Sequence, residues 1–162
     1  MEPLTLGAAV VEGALLVALW VGYRRENTAA VVNTVGAACL TLVPQAVAWT
    51  VGAGGDGFPA LTFWVAVAGF LHALGMLGYY ESVWWWDHLT HTLSAALLTA
   101  LLYAGLLVVA PAVAAGGALL GTVALGVLWE IGELLAREVG HRYDIEPVLV
   151  HYGRRDTALD LV

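Results

Sequence analysis

The sequence predicts an all-α fold, a polytopic transmembrane helix bundle of about five spans. Three observations predict it. Hydrophobic residues make up 60% of the 162 and charged residues 12%, about half the charged share of an ordinary soluble domain. Five stretches reach the ~20 apolar residues that cross a bilayer. All six cations are arginines and they collect at two places, residues 24–25 and 137–155.

The spans follow in order. The first covers residues 4–23 and ends at Arg24-Arg25-Glu26-Asn27. Met1-Glu2-Pro3 lacks the basic start of a signal peptide, so this segment is expected to stay in the membrane. The second covers 29–51, with a kink expected at Pro44. A glycine-rich turn at 52–57 leads into the third, 58–80, with Pro59 near its start, where proline is tolerated. The fourth covers 87–110 and stops at Pro111. The fifth covers 112–137, with Gly116, Gly117, Gly121 and Gly126 allowing close helix contact. A polar tail, or an incipient sixth helix, occupies 140–162. The whole is read as one domain, 1–162. Cytoplasmic loops collect Arg; placing the N-terminus outside and the C-terminus inside puts all six arginines in the cytoplasm. The location implied is the plasma membrane, with the lipid bilayer as partner.

Composition also excludes chemistry. The chain has no lysine, so no Schiff base forms, and its one cysteine, Cys39, makes neither an intrachain disulfide nor a thiolate cage. A net charge of −7 gives no basic surface for nucleic acid. The acidic, lysine-free, Ala- and Val-rich composition is of a halophilic kind.

The polar residues that remain cluster. Trp84-Trp85-Trp86 forms an interfacial belt, and Asp87, His88 and His91 follow at i,i+3 and i,i+4 spacing on one helical face. Glu130 and Glu133 share a face near the end of span five, Glu130 about 10 Å short of Arg137 by helix rise. His72 lies about 12 Å before Tyr80 on span three. Asp156 and Asp160 stand at i,i+4 in the tail. Ionisable groups in a span each cost ~2.5–3.5 kcal/mol and usually mark a site. The expected site has Glu130 and Asp87 in catalytic roles, His88, His91, Glu130 and Glu133 as metal ligands, and His72, Asp156 and Asp160 in support. Mixed carboxylate and imidazole suits Zn, Mn or Fe as a divalent metal cofactor. Each element has a plainer reading: Asp87 as a helix cap, Glu133 as the i,i+4 partner of Arg137, His72 as a packing residue. Glu12, mid-span in the first helix, joins no cluster.

Asp87-His88-Leu89-Thr90-His91, then Trp129-Glu130-Ile131-Gly132-Glu133, then Asp156-Thr157-Ala158-Leu159-Asp160 resemble the pattern of the VanZ-like and YjdF-type small membrane proteins. That family has Asp-x-x-x-His opening a span, an acid ending the next, and Asp-x-x-x-Asn opening a last. The resemblance covers the second half of the chain. His88 stands where such proteins usually have Lys, and Asp160 where they usually have Asn. It implies a polar site and a link to the cell envelope.

The function expected is a metal-dependent or acid–base enzyme at the cytoplasmic face, with an amphiphilic lipid or polyprenyl-linked substrate. The alternatives are a proton or cation transporter and a non-enzymatic membrane partner with a structural polar network. For transport, Glu12, Asn33 and Gln45 are the residues available to carry a path outward.

Overall fold

The computed structural model describes residues 2–52 and 58–143, and every element among them is helical. Among the described residues five helical stretches are long and apolar enough to cross a membrane: Pro3–Arg24, Thr28–Thr50, Pro59–Ser82, Trp86–Val109 and Pro111–Tyr143. Their large apolar side chains point outward on every helix; Val10, Trp20, Val108 and Leu120 are among the exposed ones. The buried core is mostly Ala. A soluble protein rarely leaves a contiguous apolar surface of this extent. In lipid the arrangement is natural, because small residues let helices approach closely where no hydrophobic drive joins them.

The chain divides into two compact units, Met1–Asp87 and His88–Val162. In the first, helix α1 (Pro3–Arg24) packs on α2 (Thr28–Thr41) and α4 (Pro59–Leu74), and α2 also packs on α4. Pro3 sits in the first turn of α1, and Ala8, Leu15, Ala18 and Gly22 form its buried face at helical spacing. Arg24 ends the helix with its guanidinium 5.9 Å from the Trp20 ring centroid. The chain reverses at Glu26, at φ 55°. Asn27 then caps α2, its side-chain oxygen accepting from Ala30 N–H at 2.8 Å, which satisfies a helix-terminal donor that lipid cannot.

The buried face of α2 is Ala30, Thr34, Ala37 and Thr41. A methyl added to Gly69 of α4 would stand 2.9 Å from the Ala37 side chain; the two backbones meet there with no room for a side chain. The core is Leu15, Ala18, Ala37 and Ala73, flanked by Phe70 and Leu77. The kink expected at Pro44 is present. Helix α2 ends at Thr41 and α3 (Val43–Val51) restarts with Pro44 in its first turn, where the missing N–H costs nothing.

Span three is not the plain helix that the sequence predicts. After Leu74 the chain makes a π-helical turn, Gly75–Tyr79, with Gly78 at φ 120°, and resumes as the short helix α5 (Tyr80–Ser82). A φ of that sign needs glycine. The widened turn leaves carbonyls without their usual helical donors, and the loop after α1 supplies replacements. Asn27 Nδ2 donates to Met76 O at 3.1 Å and Arg25 Nη1 to Leu77 O at 3.1 Å.

A tight turn, with Trp86 N–H donating to Val83 O at 2.9 Å, leads into α6 (Trp86–Val109). In the second unit a 3₁₀ turn, Pro111–Val113, precedes α7 (Ala114–Tyr143). The last helix therefore runs six residues beyond the expected end at Arg137, through the start of what the sequence predicts as tail. The two helices are joined by Thr99 and Thr122, whose hydroxyls lie 2.8 Å apart. Below that contact, methyls added to Gly121 and Gly117 would stand 3.0 and 2.9 Å from the tips of Leu102 and Leu106.

Candidate functional site

These three contacts fix the register of α6 against α7. Thr99 faces Thr122, Leu102 faces Gly121 and Leu106 faces Gly117. The helices run antiparallel. Counting eight residues from the threonines toward the start of α6 and the end of α7 reaches His91 and Glu130, each about 12 Å away by helix rise. His88 and Glu133 follow three residues further on. By that count His91 and Glu130 stand at one level along the helix pair.

Burial singles out one of them. Glu130 is 5% exposed, and it ends an i,i+4 series along α7: Ala114 and Ala118 buried, Thr122 and Gly126 half-buried, then Glu130. Its neighbours Trp129 and Ile131 are exposed. The carboxyl group therefore faces away from lipid. Glu133 is half-buried, and its Oε1 accepts from the Trp129 indole N–H at 2.8 Å, an i,i+4 contact on the same helix. Thr90 is buried, and His88 and His91 are half-buried.

Other expectations change. Among the described residues no group of three or more His, Cys, Asp or Glu stands together to hold a metal ion. Asp87 is a first-turn residue of α6, which begins at Trp86, so it lies inside the helix and not at the cap. There it favours the positive end of the helix dipole. The tryptophan belt is two residues, not three. Trp84 and Trp85 are exposed, whereas Trp86 is buried, donates its indole N–H to Leu71 O at 3.0 Å, and packs on the Tyr79 ring with centroids 4.6 Å apart. Asp156 and Asp160 lie outside the described residues.

His72 belongs to a set in the first unit that sequence reasoning missed. Its Nδ1 lies 2.6 Å from Tyr80 Oη and its Nε2 3.3 Å from Asn33 Oδ1. Tyr80 is eight residues along the same span, and its ring reaches back across Gly75, where a methyl would stand 2.3 Å from the ring. Gln45 Nε2 reaches Thr62 Oγ1 at 3.5 Å nearer the other end of the unit. The glycine at 75 is the one sequence signal that could have pointed to the Tyr80 contact.

A family model described as "Predicted membrane protein (DUF2238)" matches residues 7–162. The chain belongs to that family. No curated protein and no solved structure matches it. Family and fold agree that this is a membrane protein with several spans.

Proposed function

We propose that the protein is an acid–base enzyme of the cell envelope, embedded in the plasma membrane with its N-terminus outside and its C-terminus in the cytoplasm. Its substrate is the headgroup of a lipid or a polyprenyl-linked molecule. The observation that carries this reading is Glu130: a carboxyl group 5% exposed inside a span, level with His91 on the neighbouring helix. Ionisable groups within a span are costly and usually mark a site, and moving protons at the edge of the bilayer is a use for such a group. In this reading Glu130 is the general base or acid, His91 its counterpart, and Asp87, one turn before His91, orients the imidazole. The arginines at 24–25 and beyond 137 support the orientation, and the resemblance to VanZ-like and YjdF-type proteins supports the envelope substrate.

Purified protein in liposomes of bacterial polar lipid and undecaprenyl phosphate, followed by mass spectrometry, tests it. A lipid product is expected whose formation falls by about 10²–10⁴ in Glu130→Gln. A folded Glu130→Gln protein with unchanged turnover overturns it. Elemental analysis of the same sample separates the metal version: one Zn, Mn or Fe per chain, lost in His91→Ala, would show that a cation joins these groups.

A proton or cation relay is the second reading. The Gln45–Thr62 contact favours it, because it continues the polar residues of the first unit past the level of Asn33 and His72. Proton flux in the same liposomes, abolished by Gln45→Leu, would support it.

A further inference from the structure

We propose that Asn33, His72 and Tyr80 form a proton-binding site that fills and empties through the Tyr80 hydroxyl. Asn33 settles the chemistry. Its Nδ2 donates to Ala29 O at 2.8 Å, so its Oδ1 is the atom turned toward His72. An amide oxygen only accepts. The imidazole nitrogen facing it, Nε2, 3.3 Å away, therefore carries a hydrogen. In neutral His72 the other nitrogen, Nδ1, is then a bare acceptor, and Tyr80 O–H donates to it across 2.6 Å. A tautomer fixed from one side presents its basic nitrogen to a phenol on the other.

Proton uptake follows from this geometry. The Tyr80 O–H bond breaks as an Nδ1–H bond forms, and Oη takes a replacement proton from hydronium, which leaves as water. The tyrosine ends neutral and the imidazole carries one added proton. Release reverses both steps. The Asn33 amide oxygen does not hold a proton at ordinary acidity, so the added proton rests on the imidazole and not on Asn33. Tyr80 is suited to this gate. It follows the π turn, a feature frequent at functional sites, and lies near exposed Tyr79, Trp84 and Trp85, residue types that favour the membrane–water interface.

Titratable groups come to this region from several elements; the start of α6, whose Trp86 indole N–H donates to Leu71 O, brings Asp87. Helix α2 carries no acid or base apart from exposed Cys39. Helix α4 carries only His72, and the end of its span carries Tyr79 and Glu81. The loop after α1 brings Arg24, Arg25 and Glu26. Helix α1 brings Glu12. Gly7 faces Phe63, so by parallel register Glu12 stands about one turn, 6 Å, from the level of His72.

Nitrogen NMR of histidine-labelled full-length protein in liposomes tests the site, with His72→Gln assigning the signal. The expected neutral form has hydrogen on Nε2 and a hydrogen-bonded, bare Nδ1. Acidification should convert it to imidazolium. In Tyr80→Phe, exchange of the imidazole proton with water should slow about a hundredfold, the low end of acid–base assistance. In Asn33→Leu both tautomers should appear. A wild-type spectrum with hydrogen on Nδ1 overturns the proposal without any variant. So does unchanged exchange in a folded Tyr80→Phe protein.

Discussion

Alanine at position 75 isolates the contact on which the His72 set depends. Gly75 has ordinary helical angles, φ −51° and ψ −52°, so alanine meets no backbone strain. In an open helix the change should stabilise by roughly 0.4–1 kcal/mol. Here the new methyl would stand 2.3, 2.4 and 2.7 Å from three ring atoms of Tyr80. The ring is rigid and must swing as a whole, taking its hydroxyl away from His72 Nδ1. Overpacking costs ~1–3 kcal/mol, and a side-chain hydrogen bond within a membrane protein averages ~0.6 and reaches ~1.7. Together, less the helix gain, these give a loss of roughly 1–4 kcal/mol. Gly36, with nothing within 4 Å of its added methyl, is the control and should show no loss. Reversible unfolding in mixed micelles of lipid and denaturing detergent measures both. The decisive comparison repeats Gly75→Ala in a Tyr80→Ala background, where the methyl has space and the cost should fall below ~1 kcal/mol. Equal costs in the two backgrounds would refute the reasoning.

Two further perturbations follow from the same frame. Asn27→Ala removes both the cap on α2 and the donor to Met76 O; a loss of about 1–3 kcal/mol is expected in the same unfolding assay, from the cap and the stranded carbonyl. Thr99→Val and Thr122→Val should each cost about 0.5–1.5 kcal/mol. The double variant should cost less than their sum, because either change alone breaks the hydroxyl pair.

Five spans were readable because length and hydropathy alone set them, and most starts and ends fall within two residues of expectation. The overshoot of the last helix has a local reason. Gly140 reads as a break, yet Arg137, Glu138 and Val139 carry the helix up to it, and Gly140 itself is buried and helical. The π turn was not readable: Gly75 and Gly78 look like the small residues that line any membrane helix. Among the candidate site residues, His91 and Glu130 could be set at one level from spacing and helix rise alone. The partners of His72 did not, because one lies 39 residues away on another helix and the other meets it only across a missing side chain. Trp86 misled for a related reason. Three identical neighbours share one interfacial preference, and only the turn at Val83 decides which of them is drawn inward.

The grip of Arg25 and Asn27 on the bend of span three has a consequence for biogenesis. The holding residues leave the ribosome 49 to 52 residues ahead of the carbonyls they hold. The first hairpin can thus be inserted and waiting when the bent segment emerges. The two exposed peptide groups need not face lipid alone, and the order of synthesis matches the order in which the pieces can be sheltered.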